Sequence, residues 1–361
     1  MNNKIGILTF HRALSYGANL QAYGLQNFLF KLGIDNEIVD YNCDYMVKHY
    51  QKIFRKTNSN FIKGFIWNIL SAKTVLMKKS NTSEFNDKHL KLSRPYNSEN
   101  IMQANNEYRS FITGSDQVWS PTCVGFDPVY FLTFADSEKK HSYAASIATN
   151  QIPENMRNQY ISRLSDFVDC SLREQSGADI INELTGKDAF VSIDPSMLLC
   201  KNDWDKLCSE DYPKDPYILL FTVPKPVNLI KYSIELAKKT NCKVLYLNNY
   251  LKKIHNDRLE YLDPVSNNDF ISLIKHAKYV CTNSFHGNAF SLLYHKNFVV
   301  ETDTAVKKNI RSENLMLSLG LKNRILSSEY TPNIDDDTDW SKVDAMIDSE
   351  REKAKEYLLS I

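Results

Sequence analysis

The chain has 361 residues, which is long for a single hydrophobic core and predicts two domains of about 150 residues each. Hydrophobic residues make up 43% of the chain and charged residues 24%, so its composition excludes a disordered or fibrous protein. Lys and Arg number 44 against 43 Asp and Glu, and this near-neutral balance argues against a protein that binds nucleic acid.

The cysteines and the apolar segments predict a cytoplasmic protein. The seven cysteines are odd in number and include no C-x-x-C pair, which argues against a disulfide framework and a zinc knuckle. The N-terminal sequence MNNKIGILTF lacks the long apolar segment of a signal peptide. The most apolar stretch, FIKGFIWNIL at 61–70, contains Lys63 and Gly64 and is far shorter than the roughly 18 apolar residues of a membrane-spanning helix.

The first half of the chain predicts a parallel α/β sheet. KIGILTF at 4–10 is typical of a buried strand, and apolar residues then recur at helical spacing from Gly17 until Gly33 ends the pattern. NEIVDY at 36–41 predicts the next strand, and this strand, helix, strand order is typical of a βαβ unit with parallel strands. Further strands are predicted at 109–114, 141–148, 166–172 and 189–194.

A second series of strands follows Pro195. The apolar runs predict strands at 217–223, 242–247 and 277–283, and the segments between them have helical patterns at about 227–240 and 268–276. The last segment starts with N-capping residues and continues with strong helix formers, so it predicts a closing helix.

This order of elements predicts two α/β domains. The first, residues 1–190, includes a basic helical insertion at 45–91, and the second covers 191–335. The C-terminal helix, 336–361, is expected to pack back on the first domain. Open parallel sheets bind ligands beyond the carboxyl ends of their strands, where loops and helix N-termini meet. Four polar clusters of this sequence follow such strand ends.

The first cluster is HRALSYGANLQAYGLQ at 11–26. Gly17 would let a ligand approach the backbone, and the amides of Asn19 and Gln21 can bond a hydroxyl or a phosphate. The alternative is a loop that only caps the following helix. The motif does not match G-x-G-x-x-G, so a dinucleotide site is not indicated. The candidate ligand-binding residues here are His11, Arg12, Tyr16, Gly17, Asn19 and Gln21.

The second cluster, ITGSDQVWSP at 112–121, ends a strand with Ser115, Asp116, Gln117 and Trp119. Asp116 can cap a short helix, which is the usual role of an aspartate in such a position. Alternatively, it orients a sugar hydroxyl or accepts its proton, while Trp119 packs on the sugar ring. The sequence leaves both interpretations open.

The third cluster is DCSLREQSG at 169–177, in which Arg173 follows an apolar strand and precedes a predicted helix. Its planar fork of donors suits an anion at the edge of the sheet. A structural ion pair with Glu174 or with another carboxylate is the alternative.

The fourth cluster, CTNSFHGNAF at 281–290, places a histidine at the start of a predicted helix. Ser284 is a good N-cap, and the N–H groups and positive dipole end of the helix favour an anion beside His286. A capping role alone is the alternative for this histidine. Cys281 lies inside the apolar strand, where a cysteine is usually inert, so a cysteine nucleophile is not expected.

Taken in order, these clusters resemble the polysaccharide pyruvyl transferase family. The resemblance covers about residues 4–300 and rests on the motifs ILTFHRALSYGANLQAYGLQ, FITGSDQVW, SYAASIA, SLREQSG, SIDPSMLL and CTNSFHGNAFSLL. It implies a GT-B-like fold, in which two Rossmann-like domains with parallel sheets face a central cleft. It also implies transfer of the pyruvyl group of phosphoenolpyruvate to two hydroxyls of a sugar, which forms a cyclic ketal and releases phosphate.

The resemblance assigns the donor to two clusters. Arg173 and His286 match the functional arginine and histidine of the family, whereas Phe285 stands where many relatives have an aliphatic residue. His286 is expected to protonate C3 of phosphoenolpyruvate or to stabilise the departing phosphate. The expected donor-binding residues are Arg173 of the first domain and, in the second domain, Asn283, Ser284, Phe285, His286 and Gly287.

The acceptor is expected on the first domain, from the place of the first two clusters in the motifs. Asp116 is the expected base for the attacking hydroxyl. The acceptor is a sugar of a bacterial-type surface polysaccharide or of its lipid-linked precursor. This scheme needs neither a metal nor a cofactor besides the donor. The expected acceptor-binding residues are His11, Arg12, Tyr16, Gly17, Asn19, Gln21, Ser115, Asp116, Gln117 and Trp119.

The basic insertion suggests a membrane partner. Residues 45–91 include ten Lys and Arg but only two acidic residues, and aromatic residues are interleaved with them. Such a basic, aromatic surface can bind an anionic membrane. A solvated face with an apolar core side is the alternative. The aromatic residues are Phe54, Phe61, Phe65 and Trp67.

Two other functions stay open. A sugar-nucleotide glycosyltransferase would share the architecture, but many of these hold the donor with two glutamates eight positions apart, and Glu301 and Glu313 are not so spaced. A non-catalytic glycan-binding relative would have little reason to keep Arg173, His286 and Asp116 together. The sequence does not define the acceptor sugar, the stereochemistry of the ketal or the oligomeric state.

Overall fold

A computed structural model describes residues 3–49, 61–223, 225–247, 254–302 and 309–361, with the backbone alone for 61–71. The chain forms two compact units. The second unit starts at Cys200 rather than at 191, and it includes part of the basic segment that we expected in the first. The first unit comprises Met1–Lys52, Thr82–Leu199 and Asp348–Ile361, and the second Ile53–Asn81 and Cys200–Ile347.

Within the described residues, five parallel strands form the main sheet of the first unit, in the order β3-β2-β1-β4-β5. They are β1 (Ile5–Leu8), β2 (Asn36–Tyr41), β3 (Leu92–Tyr96), β4 (Ser110–Gly114) and β5 (Lys140–Tyr143). Two further parallel strands, β6 (Cys170–Leu172) and β7 (Ala189–Val191), pair with each other. The helices are α1 (Tyr16–Lys31), α2 (Asp44–His49), α3 (Phe61–His89), which continues from the second unit, α4 (Arg157–Leu164) and α5 (Gln175–Thr185).

The second unit has a six-stranded sheet among its described residues, again fully parallel, in the order β10-β9-β8-β11-β12-β13. Its strands are β8 (Tyr217–Phe221), β9 (Lys243–Leu247), β10 (Leu259–Leu262), β11 (Tyr279–Thr282), β12 (Asn297–Glu301) and β13 (Ile325–Leu326). Its helices are α6 (Lys201–Asp205), α7 (Leu229–Thr240), α8 (Asn267–His276), α9 (Phe285–Leu293), α10 (Ile310–Ser318) and α11 (Trp340–Ser360), whose last turns belong to the first unit.

The C-terminal turns of α11 complete the core of the first unit. Ala354 and Leu358 are buried in the same apolar cluster as Ile5 and Ile7 of β1. The hydroxyl of Tyr357 donates to the carbonyl oxygen of Ser142 at 2.7 Å. Apolar burial therefore anchors the end of the chain against the main sheet.

The predicted fold class is confirmed, because both units are α/β with parallel sheets. Strand β5 ends five residues before the predicted boundary, since Ala144 and Ala148 have φ angles of 46° and 57°, which a strand does not accommodate. Strands β3 and β10 were not predicted, because they are partly exposed and lack a clear apolar pattern. Strand β12, NFVVE, is buried and apolar. The rule that a short apolar run predicts a buried strand would have identified it.

Each sheet has one point at which the strand order reverses, between β1 and β4 in the first unit and between β8 and β11 in the second. In open parallel sheets, the crevice outside the carboxyl ends of the strands at such a point is the usual ligand site. The residues that follow these strand ends include Asp116 after β4 and Asn283 after β11. The fold thus places two predicted clusters at the two reversal points.

The predicted membrane-binding surface is described only in part. Phe54 lies outside the described residues, and so do the side chains of the other three aromatic residues named for it. Lys73 lies 2.6 Å from Asp263, an ion pair that neutralises one cation of this surface. None of the described helices is long and apolar enough to cross a bilayer.

Candidate functional site

Three segments of the first unit bring charged side chains together near the ends of β4 and β6. Asp116 follows β4, Arg173 follows β6, and Asp194 precedes a short 3-10 helix at Pro195–Met197. Nη1 of Arg173 donates to Oδ2 of Asp194 at 2.7 Å, and Nη2 lies 3.7 Å from Oδ1 of Asp116. Arg173 therefore forms the ion pair with another carboxylate that the sequence left open.

This cluster is nearly closed to solvent. The side chain of Asp194 is 0% exposed, that of Arg173 is 2% exposed and that of Asp116 is 20% exposed. Burial disfavours the guanidinium cation, but the attraction of Asp194, and then of Asp116, outweighs it, so the pKa of Arg173 lies above its ordinary value. Arg173 stays positively charged, and Asp116 is the member of the trio with the most exposed side chain.

Asp116 is supported by the loop after β5. The backbone N–H of Ser146 donates to the carbonyl oxygen of Asp116 at 3.0 Å. Oε1 of Glu174 in turn accepts from the hydroxyl of Ser146 and from the backbone N–H of Ile147, at 3.0 and 2.8 Å. The motif SYAASIA, which we predicted as a strand, is therefore largely a loop that holds Asp116.

No helix begins at Asp116 in this described stretch, so it is not the helix cap that the sequence offered as an alternative.

His11 and Arg12 bond to a carboxylate of their own unit. Nε2 of His11 lies 2.9 Å from Oδ1 of Asp40, and Arg12 donates to both oxygens of Asp40 at 2.6 Å. His11 is 1% exposed, whereas the side chain of Arg12 is 40% exposed. The predicted direct contact of His11 with the acceptor is corrected, because its ring is enclosed within the unit.

Asn19 and Gln21 are also interior residues. The amide of Asn19 donates to the carbonyl oxygen of His11 at 2.7 Å, and that of Gln21 donates to the hydroxyl of Thr9 at 2.7 Å. Both side chains are buried, so they hold the loop after β1 rather than a ligand, which corrects their assignment to the acceptor. Tyr16 is half-buried and stays a prediction.

Trp119 belongs to the core of the first unit. Its side chain is fully buried, Nε1 donates to the carbonyl oxygen of Tyr130 at 3.1 Å, and the indole stacks on Phe131 with 5.9 Å between ring centroids. A sugar cannot reach this ring, so the predicted stacking is wrong. Gln117, next to Asp116, is partly exposed.

In the second unit, the predicted helix start is present. α9 begins at Phe285 with Ser284 as N-cap, and the Ser284 hydroxyl accepts from the backbone N–H of Gly287 at 3.4 Å. A β-carbon at position 287 would clash with Oγ1 of Thr282 and lie 3.1 Å from Phe221, so only glycine lets the helix start so close to the sheet. His286, between the cap and this glycine, is 9% exposed.

The loop before α9 is fixed by hydrogen bonds to the neighbouring strand. Oδ1 of Asn283 accepts from the backbone N–H of Val223 at 3.0 Å, and the hydroxyl of Thr282 donates to the carbonyl oxygen of Phe221 at 2.8 Å. Cys281 is buried and its pKa is raised to about 12 by burial, which fits an inert thiol. Asn283 thus joins β8 to β11 at the reversal point of the sheet.

The start of α10 brings a further cation to this loop. The guanidinium carbon of Arg311 lies 5.9 Å from the ring centroid of Phe285. The amide of Asn309 donates to the carbonyl oxygen of Asn283 at 2.8 Å. The predicted donor-binding residues of the second unit are therefore held together around one helix N-terminus.

Sequence reasoning did not assign Asp194 a role. The signal was present, because SIDPSMLL was among the motifs that carried the resemblance, but nothing in the sequence connected its aspartate to Arg173. Among the described residues, no group of three or more His, Cys, Asp or Glu side chains is placed to hold a metal ion.

Two solved structures share the fold. A protein from Listeria monocytogenes described as a UDP-N-acetylglucosamine 2-epimerase superposes with a TM-score of 0.51 at 12% identity, over 98% of this chain and 91% of that one. The complex of MnaA from S. aureus with UDP has a TM-score of 0.51 at 12% identity, over 99% of this chain and 88% of that one. At this identity the likeness supports a GT-B-like fold and nothing about the reaction.

Sequence comparison is more specific. No curated protein sequence matches this chain significantly. A family model for polysaccharide pyruvyl transferase matches residues 16–302, which is well over half of the chain and includes all four polar clusters except the first residues of the one at 11–26. The chain therefore belongs to the polysaccharide pyruvyl transferase family.

Proposed function

We propose that this protein transfers the pyruvyl group of phosphoenolpyruvate to two hydroxyls of a sugar in a surface polysaccharide or its lipid-linked precursor. The observation that carries the proposal is the placement of His286 in the first turn of a capped helix, at the reversal point of the second sheet. Family membership supports a pyruvyl donor and a sugar acceptor, and the chemistry of the Asp116 cluster and of the start of α9 supports the rest.

The start of α9 suits the donor. Phosphoenolpyruvate carries a phosphate and a carboxylate, and the N–H groups and positive dipole end of a helix stabilise such anions. Gly287 keeps this N-terminus close to the strand ends, and Arg311 adds a positive charge next to Phe285. In this proposal His286, in the first turn of the same helix, acts on the bound donor.

The proposed reaction has two steps. In the first, a sugar hydroxyl oxygen bonds to C2 of the donor, its proton passes to Asp116, and His286 gives a proton to C3. In the second, another hydroxyl oxygen of the same sugar bonds to C2, the bond from C2 to the phosphate oxygen breaks, and phosphate leaves with the electron pair and that hydroxyl's proton. The products are a cyclic ketal and inorganic phosphate, and exchange with solvent then removes the proton from Asp116 and returns one to His286.

Arg173 supports the first step through charge. Its guanidinium is buried and Nη2 lies 3.7 Å from Oδ1 of Asp116, so a fixed positive charge attracts the carboxylate of the proposed base. The sequence resemblance also assigns Arg173 to the donor, and we keep this as part of the proposal.

The test is phosphate release from phosphoenolpyruvate with candidate glycans, checked by a gain on the glycan equal to the mass of pyruvate less one water. The change His286→Ala should lower the rate at least about 100-fold, since a positioned general acid contributes that much. His255→Ala is the matched control, because His255 is exposed in a loop of the same unit and should keep the wild-type rate. An undiminished rate in the His286→Ala variant would show that the acid assignment is wrong.

A thermal-shift measurement on the wild-type protein distinguishes the rival functions. Phosphoenolpyruvate, but not a UDP-sugar, should raise the melting temperature, because a ligand that binds only the folded state stabilises it. A shift with UDP-sugars alone would favour a glycosyltransferase. Glycan binding without any phosphate release would favour a non-catalytic relative.

A further inference from the structure

We infer that Asp194 is a positioning residue, which fixes the guanidinium of Arg173 so that it faces Asp116. The inference rests on the proposed function, since it gives Asp194 a part in the same reaction. Asp194 belongs to the SIDPSMLL motif, to which the resemblance gave no role.

The carboxylate of Asp194 is held on both oxygens. Oδ2 accepts from Nη1 of Arg173 at 2.7 Å and from the hydroxyl of Ser115 at 3.2 Å. Oδ1 accepts from the backbone N–H and the hydroxyl of Ser196, at 2.9 and 2.7 Å. With this set of donors and no exposed surface, the carboxylate has one orientation available.

Because the carboxylate of Asp194 has a fixed orientation, it also sets the orientation of the Arg173 guanidinium. The guanidinium is planar, so a bond from Nη1 to Asp194 also determines the direction of Nη2, which lies 3.7 Å from Asp116. Ser115 bonds Asp194 and precedes Asp116 in the chain, so the same carboxylate also restrains the backbone next to the proposed base. Asp194 therefore determines the geometry of Arg173 and Asp116 together.

The segment of Asp194 is itself held by α1. A β-carbon at Gly24 would clash with the carbonyl oxygen of Pro195, the residue after Asp194, so the helix and this segment are in backbone contact. The contact restrains the backbone that follows Asp194, and a restrained backbone is what a positioning residue needs.

The first test compares Asp194→Asn with Asp166→Asn. The asparagine keeps an oxygen for Ser196, but it removes the negative charge that pairs with Arg173. We expect kcat for phosphate release to fall about 100-fold, because a displacement of about 1 Å in a catalytic group costs that much. Asp166 pairs with the buried Lys140 at 2.6 Å in the same unit and should leave kcat unchanged. Rates are expressed per folded protein, from circular dichroism and melting curves, so that a loss of stability alone does not count.

The second test uses added guanidinium chloride. In the Arg173→Ala variant, an intact Asp194 should hold the added cation in the vacated place and restore part of kcat. In the Arg173→Ala/Asp194→Asn double variant the same addition should restore none. A structural role for Asp194 would not produce this difference, because neither variant would then depend on where the cation binds.

The outcomes are separable. Wild-type kcat in Asp194→Asn, equal rescue in both backgrounds, or no rescue of Arg173→Ala each overturns the role of Asp194. A wild-type protein that releases no phosphate from phosphoenolpyruvate with any glycan instead overturns the proposed function.

Discussion

The two clusters of candidate site residues, one in each unit, are built in opposite ways. In the first unit, Asp116, Arg173 and Asp194 come from three separate segments, and two buried charges meet a partly exposed one. In the second unit, Ser284, His286 and Gly287 are neighbours in one stretch, and the helix itself supplies the positive end. The first cluster depends on long-range packing, and the second depends mainly on local sequence. Changes to the first should therefore cost more stability.

The largest effect is expected for Asp194→Ala. Removing one partner of a buried ion pair leaves the guanidinium of Arg173 uncompensated, and such changes cost about 3–5 kcal/mol of unfolding free energy. Urea denaturation followed by fluorescence measures this against the wild-type protein.

The double variant Arg173→Met/Asp194→Leu sharpens the point. It removes both charges of the ion pair, but it leaves the buried N–H and hydroxyl of Ser196 without their acceptor. Stability should therefore recover only in part relative to Asp194→Ala, while phosphate release stays lost. If Asp194→Ala is as stable as the wild type, the cluster is less tightly enclosed than its burial indicates.

The contrast also explains how far the sequence could lead. The strands β2 and β4 and the start of α9 follow from apolar runs and a capping serine within a few residues, so local rules were enough to predict them. The acceptor assignments of His11, Asn19 and Gln21 failed, because the groups that enclose these side chains depend on the tertiary fold.

Asp194 shows the same limit within a recognised motif. The two residues of the ion pair are 21 positions apart, and no helical or strand spacing relates them. Trp119 is a related case, since a tryptophan after a polar strand end is equally suited to a sugar ring and to a core, and its packing on Phe131 decides. The sequence predicts that a polar residue lies at the end of a strand. It does not predict which side chain that residue will bond to in the folded protein.

An intermediate effect is expected for Gly287→Ala. The new methyl group would clash with Oγ1 of Thr282, and overpacking of this kind costs about 1–3 kcal/mol. Because the start of α9 must shift to relieve the clash, binding of phosphoenolpyruvate should weaken as well, which calorimetry would show.

Gly177→Ala is the matched control for this change. Gly177 occupies the same position in α5, the third residue of the helix, but the nearest atoms to a methyl group added there lie at 3.4 Å, an ordinary contact. Alanine is the better helix former, so this variant should be as stable as the wild type or more stable. Equal destabilisation in both variants would mean that the clash with Thr282 is not the cause.

The smallest effect on stability is expected for Ser284→Ala. The N-cap of α8, in the same unit, serves as the comparison. Ser266 caps α8 with a bond of 3.0 Å from the backbone N–H of Asp269, and the Asp269 side chain completes a capping box. Ser284 makes one long bond of 3.4 Å to its helix. Loss of a cap costs about 0.5–2 kcal/mol, so we expect Ser284→Ala near the lower limit and Ser266→Ala clearly above it. If melting curves rank them the other way, Ser284 does more for the fold than its geometry indicates, and its hydroxyl is less available to an anion at the start of α9.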